Sequence, residues 1–123
     1  TLADNDPSNA GWQRDLAASL SKMGEVLTAQ GKLDDAKAVF EKSRDIAQTL
    51  ADNDPSNAGW QADVVVSHAK LMFIALEKGN KEDAQKHIKA ALLVLEPLEK
   101  AGLLNASQQD WPEDMRKRLK ALE

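Results

Sequence analysis

The residues whose types and spacing come closest to a reactive site are an aspartate and a histidine one helical turn apart. Asp83 and His87 would project from the same face of a helix, as two ligands of a metal ion do. A zinc site needs three or four ligands, and the 123-residue chain contains no cysteine and only two histidines. We therefore interpret this pair as part of a polar helix face and predict no metal site.

The other histidine and two pairs of adjacent acids also have unreactive interpretations. His68 falls on an apolar stripe, which predicts a packed core side chain. Asp34-Asp35 and Glu82-Asp83 have the composition of a general acid-base pair, but both fall where helices are expected to begin. The helix dipole favours acidic side chains there, so these residues need no catalytic explanation.

Two further motifs lie near the end of the chain. The basic residues between Arg116 and Lys120 resemble a phosphate-binding cluster, although they also fit the charged end of a helix. Asn105-Ala106-Ser107 has the form of a glycosylation acceptor, which matters only in a secretory eukaryote. The sequence contains no recognisable pairing of a nucleophile with a general base, and it contains no glycine-rich loop to hold a phosphate. We therefore predict no catalytic residue, no cofactor and no enzymatic activity.

The composition favours an all-α fold. The chain contains 19 Ala and 16 Leu against six Val, three Ile and three Thr, so helix formers greatly outnumber β-branched residues. A formal charge of −4 argues against nucleic-acid binding, which needs a basic surface. No apolar run approaches the ~18 residues of a membrane span, and no membrane association is predicted. The compartment stays open, with the cytoplasm favoured.

A segment of thirteen residues occurs twice. TLADNDPSNAGWQ occupies positions 1–13 and again positions 49–61, a shift of 48 residues. The match continues more weakly in the same register, and 20 of the first 50 residues recur at that shift. A third, degenerate copy begins near Leu98, and its segment NASQQDW at 105–111 ends in Trp111, 51 residues after Trp60. We expect a single domain of repeated units. Its predicted divisions are repeat one at 1–48, repeat two at 49–97 and a degenerate third repeat or cap at 98–123.

Apolar stripes at helical spacing divide each repeat into two helices. The first stripe runs from Trp12 to Leu27 in steps of three and four residues, and Gly31 follows it as a glycine beyond a helix end does. Gly79 divides the second repeat in the same way. Proline lacks an amide donor, so the fourth helix is predicted to kink or break at Pro97. The five predicted helices cover residues 7–29, 33–52, 55–78, 81–101 and 111–122.

The two ends of the sequence differ. The last predicted helix has the pattern of a cap, with Asp110 and Glu113 at capping-box spacing and charged residues opposite one apolar stripe. That stripe consists of Trp111, Met115, Leu119 and Leu122. At the other end, residues 1–3 repeat residues 49–51, which end a second helix. We therefore expect the sequence to be the C-terminal fragment of a longer array.

Small and large residues within each repeat are spaced as in a tetratricopeptide repeat. In repeat one they are Gly24, Leu27, Gly31, Ala36 and Phe40, and in repeat two Gly79, Ala84, Ile88 and Ala91. The segment DPSNAGWQRDL at 6–16 and the 48-residue period, longer than the family's ~34, resemble bacterial arrays of extended tetratricopeptide repeats. The resemblance implies an α-solenoid of antiparallel helix pairs, about two and a half repeats long, with a C-terminal capping helix. Met72, which replaces a small residue, is expected to splay or rotate the second pair.

The resemblance also implies a binding surface on the concave side, lined by the first helix of each pair. The predicted lining residues of repeat one are Arg14, Ala18, Ser21, Glu25 and Thr28. Those of repeat two are Ala62, Val66, Ala69, Phe73 and Glu77. Small and apolar side chains would form the floor and charges the rim, which suits a helix or an extended peptide. Alternatively, the capping helix covers Val66 and Phe73.

The three tryptophans are predicted to pack between repeats rather than to hold a ligand. Trp60 is expected against the second helix of repeat one, near Ile46 and Leu50. Trp12, by the same geometry, would face a helix that this sequence lacks and leave an apolar surface exposed. Trp111 takes the corresponding place in the cap.

Two functions of different classes follow from these features. The first is a non-enzymatic protein-protein interaction scaffold, which binds a peptide or helix of a partner protein in the concave groove. The alternative is a structural spacer or self-association module within a larger signalling or enzymatic protein. In that case the exposed N-terminal repeat face would join copies of the chain. The sequence names no partner.

Overall fold

Five α-helices and one short 3-10 helix form the part of the chain that a computed structural model describes, residues 7–123, with side chains from residue 10 onward. The helices are α1 (Pro7–Ala29), α2 (Leu33–Asn53), α3 (Ala58–Glu77), α4 (Lys81–Lys100) and α5 (Trp111–Ala121), and the 3-10 helix is Ala106–Gln108. No strand occurs among these residues, which confirms the all-α class. None of the described helices is both long and apolar enough to cross a membrane.

Three helices end in the same type of turn, built on a glycine. Gly31, Gly79 and Gly102 have φ angles of 78°, 73° and 69°, in the left-handed region that other residues avoid. In the first turn the Lys32 N–H donates to the Leu27 carbonyl at 2.9 Å, and the matching bond recurs after α3 and α4. These Schellman turns satisfy the last carbonyls, so each helix stops at its glycine.

The helix α4 is not broken at Pro97, contrary to one of the predicted outcomes. It is helical without interruption from Lys81 to Lys100. Pro97 offers no N–H to the carbonyl of Leu93, one turn earlier. Both residues are exposed, so this carbonyl lies on the solvent side of the helix rather than in the core. Because α4 ends a few residues later, little of the helix depends on the missing bond.

The capping box predicted at Asp110 and Glu113 is wrong. Asp110 has φ −87° and ψ −9°, and its side chain makes no capping hydrogen bond. An N-cap side chain needs a non-helical backbone to turn towards the first amides, and Asp110 is already helical. Reciprocal hydrogen bonds join Asn105 and Gln108 at the 3-10 helix instead, where the Asn105 N–H donates to Gln108 Oε1 and the Gln108 N–H donates to the Asn105 carbonyl, both at 3.0 Å.

Each helix packs on the next one along the chain, α1 on α2, α2 on α3, α3 on α4 and α4 on α5. The largest core cluster joins the last three helices and holds Val65, Met72, Ala75, Ala84, Ile88, Ala91, Leu92, Leu95, Leu98, Leu104 and Met115. The other residues of the predicted α5 stripe pack against this cluster. Two smaller clusters join the earlier helices. They are Ala36, Phe40, Leu71 and Ile74, and Ala47, Ala51 and Val64.

At one contact, the two helix pairs divide the side-chain volume differently between their first and second helices. Gly24 lies against the ring of Phe40, and a Cβ on Gly24 would stand 2.5 Å from the ring atom Cε1. At the matching positions of the second pair, 48 residues later, Met72 and Ile88 belong to one buried cluster. The larger residue on the first helix is thus matched by a smaller one on the second. Met72 is accommodated in the core by this exchange.

Candidate binding grooves between the helices

A groove of about 380 Å³ lies between α1 and α3. We call it the α1–α3 groove. Part of its lining comes from α2, through Ser43, Ala47 and Leu50. The α1 and α3 residues that line it are Arg14, Ala17, Ala18, Ser21, Lys22, Glu25, Asp63, Val66, Ser67 and Lys70. Small side chains therefore line much of the groove, with longer charged side chains among them.

A buried hydrogen bond joins α1 to α2 beside this groove. The Ser43 hydroxyl donates to the Ala17 carbonyl at 2.8 Å, and both residues are buried. Because a hydroxyl and a methyl group occupy the contact, the two helix backbones approach closely there. The distance between α1 and the α2 residues of the groove thus depends on two small residues.

Two ion pairs cross the groove from α1 to α3. The Arg14 guanidinium contacts the Asp63 carboxylate at 2.8 Å and 3.3 Å, and Lys70 pairs with Glu25. Since Glu25 lies eleven residues after Arg14 on α1, the pairs cross at separate points. All four side chains are partly or largely exposed, and such pairs contribute about 0–1 kcal/mol each. A bound segment would displace them at low cost.

A second groove, of about 290 Å³, lies between α3 and α5. We call it the α3–α5 groove. Its lining is mostly apolar and consists of Val65, Val66, Ala69, Lys70, Met72, Phe73, Trp111, Asp114, Met115 and Arg118. The Arg118 guanidinium lies 5.2 Å from the centre of the Phe73 ring and bonds to Asp114 at 2.8 Å. Half of the Phe73 surface remains exposed, so α5 flanks this side chain without covering it.

The residues predicted to line one concave surface are divided between these two grooves. Arg14, Ala18, Ser21 and Glu25 line the α1–α3 groove. Ala69 and Phe73 line the α3–α5 groove, and Val66 lines both. The division arises because α5 stands beside α3, a relation between distant parts of the chain that the repeat pattern does not contain.

Three of the predicted lining residues lie in neither groove. The Thr28 hydroxyl donates to the Gly24 carbonyl of its own helix at 2.7 Å. Thr28 lies three residues beyond Glu25, the last α1 residue in the lining, so the groove ends before it. Ala62 is buried, and Glu77 is exposed at the end of α3.

The tryptophans occupy different environments. Trp60 is half-buried and packs against the cluster of Ala47, Ala51 and Val64, one position along α2 from the expected Ile46 and Leu50. Trp111 is half-buried against the large cluster. Trp12 is 74 % exposed.

Besides Lys22 on α1, sequence reasoning missed two charged residues of the α1–α3 groove that lie on α3, Asp63 and Lys70. Both had a detectable signal, because they are among the few residues identical in the two repeats beyond the repeated segment, matching Asp15 and Lys22. The repeat match did not indicate that the α3 copies would meet partners on α1. That depends on how the helices stack.

The two histidines form a pair between α3 and α4. The Nδ1 atoms of His68 and His87 lie 3.0 Å apart, so one ring must donate and the other accept. Asp83 Oδ1 lies 4.0 Å from His87 Nε2, and Lys37 Nζ lies 3.7 Å from the Asp83 carboxylate.

Burial keeps this pair neutral. It lowers the pKa of His68 to about 4, helped by the neighbouring His87 ring, and it lowers the pKa of His87 against the opposing effect of Asp83. Within residues 7–123 no group of three or more His, Cys, Asp or Glu side chains is arranged to hold a metal ion. The predicted core position of His68 is confirmed, since its side chain is 8 % exposed.

The remaining charged motifs are engaged in ion pairs on the surface. Asp34 accepts a hydrogen bond from Lys78, which lowers the pKa of the Asp34 carboxyl and links the start of α2 to the end of α3. Arg116 bonds to Glu99 at 2.8 Å, and Lys117 lies 3.4 Å from Glu113. The basic residues near the end of the chain therefore have acidic neighbours rather than forming a purely cationic surface.

Protein-family models, curated proteins and solved structures were compared with the chain, and none matches it. The similarity to tetratricopeptide repeats therefore rests on the residue spacing and the internal repetition. What the chain does has to be inferred from its grooves, its charged residues and its exposed surfaces.

Proposed function

We propose that this chain is a protein-interaction module of stacked, tetratricopeptide-like helix pairs, and that a peptide or helix of a partner protein binds in the α1–α3 groove. The observation that carries this proposal is the groove itself. It lies between the first helices of the two sequence repeats and is lined by small side chains and by charged ones in nearly equal number. Grooves of this kind suit a peptide backbone and a few apolar side chains.

The charges indicate what a bound segment would carry. Arg14 and Lys70 already face Asp63 and Glu25 across the groove, and Lys22 adds a third cation to the lining. The lining therefore holds three cations and two anions. A segment with small aliphatic side chains towards Ala and Ser residues and an acidic side chain near Lys22 complements this surface.

Selection from a random peptide library, followed by calorimetric titration, tests the proposal. Ala18→Trp would fill the α1–α3 groove, whereas Ala38→Trp adds the same side chain to an exposed position of α2 outside it. We expect selected peptides to bind the native chain and Ala38→Trp equally. Ala18→Trp should bind them at least about tenfold more weakly, or ~1.4 kcal/mol.

The same titration contradicts the proposal if Ala18→Trp binds the selected peptides as tightly as the native chain, or if selection yields no binding peptide. Loss of binding in Phe73→Ala, with Ala18→Trp unaffected, would move the site to the α3–α5 groove. Circular dichroism of each variant shows whether the helices are retained.

The alternative function, a spacer or self-association module, is supported by a different observation. Four large apolar side chains of α1, Trp12, Leu16, Met23 and Val26, are exposed. Exposed apolar patches commonly mark protein contacts. None of these four residues lines the α1–α3 groove, so the two functions use separate faces of α1 and are compatible.

A further inference from the structure

The exposed apolar residues of α1 form a stripe. Trp12, Leu16, Met23 and Val26 follow one another at steps of four, seven and three residues, which places them on one side of the helix. Between 49 % and 74 % of each side chain surface is exposed. We call these four residues the outer stripe of α1. A soluble helix rarely leaves so many large apolar side chains uncovered together.

The repeat register identifies the counterparts of the outer stripe on α3. A shift of 48 residues leads to Trp60, Val64, Leu71 and Ile74. Val64, Leu71 and Ile74 are 0–2 % exposed, and Trp60 is half-buried. The same pattern of side chains is therefore covered on α3 and uncovered on α1.

The helix that covers the α3 counterparts is α2. Val64 and Trp60 pack against Ala47 and Ala51, and Leu71 and Ile74 pack with Ala36 and Phe40. The buried residues of this covering face are three alanines and one aromatic side chain, and the partly buried Leu33 packs beside them. Because the alanine side chains are small, the α2 backbone lies close to α3, and the indole ring of Trp60 fits against the alanines.

We infer that the outer stripe of α1 is a docking surface for a helix of the α2 type, one that presents an alanine-lined face with a single large aromatic residue. The α2–α3 contact is the template for this interface. This surface is separate from the α1–α3 groove, and a helix docked there favours the spacer alternative over association between copies of this chain.

A second folded copy of the chain does not offer such a helix. Its α2 face is already covered by α3. On α4, the residues that match Ala47 and Ala51 are Leu95 and Glu99, and Leu95 shares its buried cluster with Met115 of α5. The partner is therefore an α2-type helix from a further repeat unit, rather than an exposed face of the same molecule.

An extended chain tests this inference. When a second copy of residues 1–48 is placed before Thr1, the junction repeats residues 42–61 without a difference, so the added α2 meets the outer stripe with native connecting sequence. Leu16→Glu in the original copy then places a carboxylate in the new contact. Ala29→Glu is the matched control, because Ala29 is exposed on α1 and does not belong to the outer stripe.

We expect Leu16→Glu to shift the thermal midpoint of the native 123-residue chain by no more than about 2 °C, because Leu16 is exposed there. In the extended chain it should lower the midpoint by about 5 °C or more. Ala29→Glu should have little effect in either. Equal effects of Leu16→Glu in the two chains would overturn the inference, as would an added copy that remains unfolded by circular dichroism.

Light scattering of the native chain distinguishes binding of a second copy at the outer stripe from binding of the proposed α2-type helix. We expect a monomer at micromolar concentration, because no α2-type helix is free. A dimer that Leu16→Glu dissociates and Ala29→Glu leaves intact would show that a second copy occupies the outer stripe, and would overturn the assignment to an α2-type helix.

Discussion

His68 Nδ1 lies 3.0 Å from His87 Nδ1, and both rings are buried between α3 and α4. The matching residues of the first helix pair, 48 positions earlier, are Leu20 and Val39. A polar pair therefore occupies in one repeat the positions that two apolar side chains hold in the other. A buried polar pair is stable only while its hydrogen bond is made and both rings are neutral.

Stability should fall as the solution is acidified below pH 6.5. The folded pKa of His68 is about 4, below its ordinary value of 6.5, so the unfolded chain takes up protons that the folded chain does not. This contribution is complete above pH 6.5 and is lost progressively as the pH falls towards 4. It amounts to about 3 kcal/mol from His68. Urea unfolding at several pH values measures it.

The double variant His68→Leu with His87→Val is the control, since it restores the residues of the first repeat. The free energy of unfolding of this variant should change less between pH 6.5 and 4 than that of the native chain. The change that remains in the variant comes from carboxylates. A variant with the native pH dependence would show that the histidines do not titrate as a buried neutral pair.

The histidine pair also illustrates how much of the structure can be predicted from the sequence. The apolar stripes predicted the five described α-helices and the core position of His68, but not the 3-10 helix Ala106–Gln108. His87 was placed on a polar face with Asp83, because spacing along one helix reports only neighbours on that helix. The contact between His68 and His87 depends on the register between α3 and α4, which the pattern of a single helix does not contain.

The same limit applies to the grooves. Arg14 and Glu25 were predicted to line a binding surface from their place on α1, and they do line the α1–α3 groove. Their partners Asp63 and Lys70 were missed, and Phe73 was assigned to the same surface although it lies beside α5. Both errors concern contacts between helices distant in sequence, where small differences in packing decide which side chains meet.

The two tryptophans of the repeated segment should differ in their contribution to stability. Trp60 packs against Ala47, Ala51 and Val64, so Trp60→Ala is expected to lower the free energy of unfolding by about 3 kcal/mol. Trp12 is 74 % exposed, and Trp12→Ala should cost less than about 0.5 kcal/mol. Urea unfolding of the two variants compares them. Similar losses would mean that Trp12 is covered in solution.

Replacing the proline within α4 should stabilise the chain. Pro97 lies in the helix, is exposed, and leaves the Leu93 carbonyl without an amide partner. Pro97→Ala restores that bond and should raise the free energy of unfolding by about 0.5–1.5 kcal/mol, the net contribution of one hydrogen bond near a helix end. Pro97→Gly, which restores the amide without the helix preference of alanine, should gain less. A decrease in stability for Pro97→Ala would show that the proline ring makes a contact that the helix needs.

The contact between Gly24 and Phe40 should be intolerant of a single added methyl group. A Cβ on Gly24 would lie 2.5 Å from the Phe40 ring, which fills the space between α1 and α2 and has no room to move outward because it is 3 % exposed. Gly24→Ala should therefore lower the free energy of unfolding by about 1–3 kcal/mol, although alanine is the better helix former. Thermal or urea unfolding measures the loss.

The second helix pair indicates how to relieve that clash. Met72 and Ile88 occupy the matching positions and are both buried, so Phe40→Ile should make room for a larger residue at Gly24. The double variant Gly24→Ala with Phe40→Ile should then lose less than the sum of its single variants, with a coupling energy of about 1 kcal/mol or more. Strict additivity would mean that Gly24 and Phe40 do not contact each other in solution, and that the two helix pairs reach the same spacing by different packing.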